Sequence, residues 1–331
     1  MITLEEIQRA QEGLQGVAVR TPLISYFPPV ADSENGDSAR GQLWLKPESL
    51  QPVGSFKLRG AYNKIVSLSD EERKRGVISY SSGNHAQGVA YAARALGVKA
   101  VIVMPRNAPK LKVDSTAALG AEIVTVGPAS TERLQKAEEL ARERGYVIVP
   151  PYNDERIVAG QGTIGLEILE DCRDVELVLV PCGGGGLTSG VSAAVKLSGS
   201  HAKVVAVEPE LANDAQQSFR KGEIVELPAD RVSSTLADGL RTQSIGPVNF
   251  EHIRRFVDDI VTVSEEEIRT AMRRMMTSAR IVPEPSGAVT FAAWLFHAAE
   301  LPTARKTVAV VSGGNVDPQV LARVLDEGAA E

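Results

Sequence analysis

The sequence predicts an α/β protein of two lobes, each a mainly parallel sheet flanked by helices, on three observations. Short β-branched runs alternate with segments of helical length, the pattern of βαβ units. Two such series follow one another, the first starting at Val77. Runs such as AVIVMP and VELVLVP are apolar throughout, as strands covered on both faces are.

Thr3 with Glu6 forms a capping box ahead of an amphipathic helix over residues 4–15. The stretch Ala31–Gly41 is polar and rich in Gly and Ser, which predicts a loop before the strand LWLK (43–46). The first series then reads VISY, a helix from Asn84 to Leu96, AVIVMP, a helix near 109–119, AEIVTV, a helix near 131–144 and YVIVP. The second reads a helix around 160–171, VELVLVP (175–181), a helix after a glycine run, and KVVAVEPE (203–210). Helices over 265–279 and around 287–299 and a final strand TVAVVSGG (307–314) complete it. No short repeat and no low-complexity tail is present.

Of the 331 residues, 43% are apolar and 24% charged, enough for a sizeable core. A net charge of −6 argues against a large basic face for nucleic acid or anionic membrane, while a local basic pocket for a small anion stays open. Cys172 and Cys182 are too few for a disulfide framework and lack metal-ligand spacing with histidine, so they read as small buried hydrophobes. The N-terminus has no signal-peptide core, and no apolar run reaches the roughly 18 residues of a membrane span. A cytoplasmic protein is expected.

Three segments carry chemistry. Gly183, Gly184, Gly185 and Gly186 stand between a buried-type strand and a helix, where backbone N–H groups and the helix dipole suit a phosphate. A tight turn is the plain alternative, but four glycines in a row cost conformational entropy. The run is neither a Walker loop nor a G-x-G-x-x-G site. SSGNHAQG (81–88) also follows a strand and opens a helix, and offers Ser81, Ser82, Gly83, Asn84 and His85 to a substrate carboxylate. Helix capping by Ser82 and Asn84 uses the same groups. Lys57 lies in GSFKLRGA (54–61) among small and apolar neighbours, and a lysine partly removed from water more readily supplies the free amine of Schiff-base chemistry.

With RTPL (20–23), KPESLQPVGSFKLRGAYN (46–63), AGQGTIGLEIL (159–169), EPSGA (284–288) and SGGN (312–315), these segments resemble the fold type II pyridoxal 5′-phosphate enzymes. The resemblance is to the branch of threonine/serine dehydratases and serine racemase, and it runs from Thr21 to Asp317. It implies the tryptophan synthase β-like fold, with a large cofactor-binding domain of residues 1–76 and 153–331. Residues 77–152 would form a small, mobile domain that closes on the substrate. With 17 residues after Gly314, no C-terminal regulatory domain is expected.

Carried over by residue, the resemblance implies that Lys57 bears the cofactor as a Schiff base and then takes the α-proton. Phe56 would pack beside the ring, Asn84 bond its hydroxyl, and Gly183 to Gly186 with Leu187 hold the phosphate. Ser312 would face the pyridine nitrogen and Glu284 support the pocket, with Asn153, Arg133 and Asp238 nearby. The implied reaction is dehydration and deamination of L-threonine or L-serine to 2-oxobutanoate or pyruvate plus ammonia. Alternatives are serine racemisation, for which Ser82 would be the second acid/base group, and dehydration of 3-hydroxyaspartate. Glu208, the Ala212 carbonyl and Asp214 match the branch's divalent-cation site, whose oxygen ligands suit Mg²⁺, Ca²⁺ or Mn²⁺. A strand-end glutamate and a helix-capping aspartate are the plain alternative. His201, His252 and His297, which share no spacing, read as structural or exposed. The partner is a small hydroxy amino acid, and a homodimer is implied. A cofactor-binding protein without turnover is the contrasting class, and the intact Lys57, Asn84 and Ser312 argue against it.

Overall fold

Two parallel sheets organise the chain in a computed structural model that describes residues 1–27, 41–81, 83–108, 110–127 and 130–327. The loop expected at Ala31–Gly41, apart from Gly41, lies outside the described residues, and so does Ser82.

The larger sheet has six strands: β1 (Ile24–Tyr26), β2 (Gln42–Pro47), β7 (Leu177–Pro181), β8 (Lys203–Pro209), β9 (Asp259–Val263) and β10 (Lys306–Val311). Their order is β1-β2-β10-β7-β8-β9, with only the edge strand β1 antiparallel to its neighbour. β7 is buried at every position, because helices cover both faces of the sheet. Leu179, Val205, Ala309 and Val311 pack on one side with α13 (Pro285–Phe296), and Val178, Val204, Val308 and Val310 on the other with Val191 and Ile164.

The smaller sheet has four parallel strands in the order β5-β4-β3-β6: β3 (Val77–Tyr80), β4 (Ala100–Pro105), β5 (Glu122–Val126) and β6 (Val147–Ile148). Two helices join the sheets. α2 (Lys57–Val66) buries Ala61 and Ile65 in one apolar cluster with Val77, Val89 and Ile102 of the small sheet and its helix α4 (Asn84–Ala95). Its first turn is tied to the large sheet, where the Phe56 N–H donates to the Ser312 carbonyl at 3.1 Å and Ser55 bridges Gly313. α7 (Glu155–Asp171) leads back from the small sheet.

Local chemistry accounts for the ends of elements. Thr3 and Glu6 form the expected capping box of α1 (Leu4–Gly13). α7 begins five residues earlier than the expected 160, because the Asp154 carboxylate accepts from the N–H groups of Arg156 and Ile157. The helix expected over 265–279 is α-helical only as α12 (Glu265–Arg274). It widens into a π-turn over Met275–Ala279 and stops at Arg280, whose φ of 59° is left-handed. Among the described residues no helix is long and apolar enough to cross a membrane.

Candidate active site

The glycine run and SSGNHAQG follow the C-terminal ends of β7 and β3, and the Lys57 segment is held at the C-terminal end of β10 by the Phe56–Ser312 and Ser55–Gly313 contacts. Lys57 opens α2, and its Nζ donates to the Pro151 carbonyl at 2.8 Å and stands 5.0 Å from the centre of the Phe56 ring. Protein encloses the amine, although part of the side chain still lines the cleft. Loss of hydration lowers its pKa to about 8, against a smaller opposing pull from Glu284.

Asn84 does not cap its helix. The N-cap is Gly83, with no side-chain cap bond, and the Asn84 amide instead donates to Glu284 Oε1 at 2.6 Å and accepts from Asn315 Nδ2 at 2.8 Å. Glu284 is anchored in turn, its N–H donating to the Gly313 carbonyl at 3.0 Å. Burial, and next the charge of Asp238, raise its carboxyl to about 8. His85 is buried and neutral, its pKa lowered to about 3 by burial and then by Lys57. Its Nε2 meets the Val149 carbonyl at 3.0 Å, and among the described residues Nδ1 has no partner. Ser81 Oγ accepts from the Gly83 N–H at 3.3 Å. Ser312 is buried against the Ser286 carbonyl at 3.4 Å.

The glycines of the run are crowded by Leu240, by Tyr152 and, at Gly185, by Asn249 and Ile245. A Cβ on Gly183 would meet Leu240, and one on Gly184 or Gly186 would meet Tyr152. Gly185 has φ +91° and serves as the N-cap of α8 (Gly186–Leu197). Packing against Tyr152 therefore requires glycine there independently of any anion. The N–H groups of Gly183, Gly184 and Gly185 donate no hydrogen bond to the described residues, and the first amides of α8 have no partner within the helix. Buried N–H groups without partners at a helix start form an anion cradle, so these residues fit a phosphate. Leu187 is buried behind them.

Asn153 lies beside the cradle, its Oδ1 accepting from the Val248 N–H at 3.0 Å. Asp238 pairs at 2.6 Å with Lys112 of α5 (Lys110–Ala118), which links the small sheet's helices to the loop beside Gly183. Arg133, on α6 (Ser130–Arg144), is half buried, and its Nε has no partner among the described residues. His252 accepts from the Ile2 N–H and His297 meets Glu267 and Glu300, so both are tied into structure, and both cysteines are buried and free.

Glu208 and Asp214 come together at the end of β8. Glu208, not Asp214, caps α9 (Asp214–Lys221), accepting from the N–H groups of Ala215 at 3.1 Å and Gln216 at 2.7 Å. Asp214 is fully buried, and among the described residues neither oxygen has a well-formed hydrogen bond. Burial raises Asp214 to about 7, and burial with Asp214's charge raises Glu208 well above the usual range. Ala212 is buried beside them. Among the described residues no three His, Cys, Asp or Glu side chains cluster as a metal set, so any cation here would rest on two carboxylates and backbone or water oxygens.

Sequence reasoning missed Tyr152, Lys112, Asn315 and the Pro151 carbonyl. Asn315 had a signal, as the last residue of SGGN. The others reach the site through tertiary packing and carry none.

Residues 18–313 match the model of a family described as pyridoxal-phosphate dependent enzyme. An L-threonine ammonia-lyase of Thermotoga maritima is 46% identical, over 99% of this chain and 79% of that protein. An L-threo-3-hydroxyaspartate ammonia-lyase of Saccharomyces cerevisiae is 43% identical over 89% of each chain. The structure of maize serine racemase superposes with a TM-score of 0.90 at 35% identity, covering 99% of this chain and 98% of that one.

Proposed function

Because the chain belongs to the pyridoxal-phosphate dependent enzymes, we propose that it is an ammonia-lyase that converts L-threonine or L-serine to 2-oxobutanoate or pyruvate and ammonia. The observation that carries the reading is the buried Lys57 amine, held by the Pro151 carbonyl at the sheet edge that also presents the free amides of Gly183 to Gly185. Likeness to threonine and hydroxyaspartate ammonia-lyases supports the substrate class.

Lys57 would anchor the cofactor, Phe56 and Asn84 would flank its ring, Gly183 to Gly186 with Leu187 would hold its phosphate, and Ser312 and Glu284 would line the far side. When bound, the cofactor supplies an electron sink that acidifies the substrate's α-hydrogen. Lys57 Nζ takes that proton, and its lowered pKa keeps the uncharged amine populated near neutral pH. The Pro151 carbonyl aims the amine. Ser81, Gly83 and His85 bind the substrate carboxylate at the start of α4, where unpaired amides and the helix dipole favour an anion. Ser82, between them, is the residue on which racemisation would turn.

Residues 77–152 act as the small domain that closes on the substrate. Glu208, Asp214 and the Ala212 carbonyl would hold a divalent cation such as Mg²⁺, Ca²⁺ or Mn²⁺, whose charge would satisfy the unpaired Asp214 oxygens and brace β8 against α9. By resemblance the enzyme is a homodimer of the cytoplasm.

Serine racemisation or L-threo-3-hydroxyaspartate cleavage is the second reading, supported by the relatives that carry those names. One experiment separates them: L- and D-serine, L-threonine and L-threo-3-hydroxyaspartate are each incubated with the protein, and 2-oxo acid, ammonia and enantiomer are quantified. Ammonia from L-threonine or L-serine, abolished in Lys57→Ala, is expected. No ammonia from any of them would overturn the reading.

A further inference from the structure

Beneath Lys57 lies a group of buried charges that the proposed chemistry does not use. Arg59, two residues along α2, is 1% exposed. Its Nε and Nη2 fork onto Glu48 at 2.8 and 2.9 Å, and its Nη1 and Nη2 fork onto Glu167 at 2.6 and 2.9 Å. Nη1 also reaches Thr163 Oγ1 at 3.1 Å and Nη2 the Val19 carbonyl at 3.2 Å. Lys46 Nζ donates to Glu167 Oε2 and the Thr21 carbonyl, both at 2.6 Å, and Thr21 and Gln51 donate to Glu48 at 2.8 and 3.0 Å. Two cations balance two carboxylates, with every guanidinium donor used.

Stability is a poor account of such a group, since apolar residues of similar volume hold a core at least as well as buried ion pairs do. What two forked contacts add is direction, because a planar guanidinium held on both edges permits one setting. The charges come from β2, the turn after it, α2 and α7, so they tie the first turn of α2 to the large sheet's surroundings. That turn lacks the usual local device: its N-cap, Phe56, makes no side-chain cap bond. It is also closely confined. A Cβ on Gly160 would lie 2.6 Å from Gly60 Cα, and one on Gly88 would lie 3.0 Å from the Lys57 carbonyl carbon. Meanwhile the apolar face of α2, Ala61 and Ile65, is buried among residues of the small sheet, so the helix is packed from both sides.

We propose that Arg59 is a positioning residue for Lys57: clamped between Glu48 and Glu167, it sets the first turn of α2 and thereby the point at which the amine meets cofactor and substrate. The proposal rests on the reading of Lys57 as the cofactor's anchor.

Arg59→Lys keeps the charge and loses the fork, and Thr163→Val removes the bond to Nη1 together with the hydroxyl's own donation to the Gly160 carbonyl within α7. In the full-length chain, folding is followed by circular dichroism and melting. The rate of the pyridoxal phosphate adduct at Lys57 is read by absorbance and by borohydride trapping with mass analysis, and kcat and KM are measured for L-threonine. Arg59→Lys is expected to stay folded, to form the adduct about tenfold more slowly and to lose roughly 10- to 100-fold in kcat, with KM nearly unchanged, as a misplacement on the order of 1 Å produces. Wild-type adduct rate and kcat with only a lower melting temperature would make the clamp purely structural and overturn the proposal. Should Arg59→Lys fail to fold, Thr163→Val decides: a slower adduct supports the proposal and an unchanged one defeats it. No adduct in the wild-type chain would remove the anchor reading itself, whereas an adduct insensitive to both variants would remove only the role of Arg59.

Discussion

Asn84 Nδ2 lies 2.6 Å from Glu284 Oε1, which joins the loop helix of the small sheet to the start of α13 under the large one. Burial and the charge of Asp238 hold the Glu284 carboxyl at about 8, so at pH 7 it is mostly neutral and a glutamine copies it. Glu284→Gln is therefore expected to keep kcat/KM within about threefold of wild type at pH 7, a change under 1 kcal/mol, and to diverge above pH 8, where only the wild type gains a charge. Glu284→Ala, which leaves Asn84 without its partner, is expected to lose far more. A pH profile of the three proteins checks this, and a large loss in Glu284→Gln at pH 7 would mean that the carboxylate works ionised.

Lys57 carries a stability cost with a definite sign. Its pKa is 10.5 ordinarily and about 8 in the fold, so between those values the unfolded chain binds more protons and stability rises with pH. Below pH 8 the full penalty applies, at most roughly 3 kcal/mol because part of the side chain faces the cleft. Urea unfolding of the cofactor-free protein should find Lys57→Met more stable than wild type at pH 7, with the gap closing as pH approaches 10.5.

Gly184 is held against the Tyr152 ring, so Gly184→Ala should force the two apart at a cost of about 1–3 kcal/mol and weaken cofactor binding. Adding Tyr152→Ala should recover stability by vacating that space. Melting temperatures and cofactor titrations of the single and double variants give the coupling. Strictly additive losses would show that Tyr152 is not what excludes the side chain.

The Lys112–Asp238 pair, 2.6 Å long with side chains 22% and 38% exposed, spans from the small sheet's helices to the cradle. A partly exposed ion pair contributes about 0.2–1 kcal/mol, so Lys112→Ala should lower kcat/KM by no more than about fivefold. Salt should shrink the difference, and steady-state kinetics at low and high ionic strength would detect it.

If Glu208, Ala212 and Asp214 take a cation, millimolar Mg²⁺, Ca²⁺ or Mn²⁺ should stabilise the chelator-treated protein by about 2.7 kcal/mol at a hundred times Kd, and so raise its melting temperature. Asp214→Asn should abolish that rise. Identical melting with each metal and with chelator would exclude a stabilising cation.

The order of strands and helices was legible because each element carries its own period, and β4 and β7 are apolar end to end. Element ends were less so. The start of α7 depends on Asp154, and the π-turn after Arg274 has no periodic signature. Asn84 was recognisable as a site residue, but its competing reading as a cap could be set aside only once its amide was seen bonding Glu284 and Asn315.

Composition, periodicity and the ordered motifs thus determined the α/β class, the family resemblance and the identity of Lys57, because these depend on residue type and local spacing. Tertiary structure alone decided that the Pro151 carbonyl holds the lysine, that Tyr152 explains Gly184, that Glu208 caps α9, and that Arg59 lies buried between two carboxylates. Those contacts join segments distant in the chain. Their energies depend on burial and direction, which no local stretch of sequence encodes.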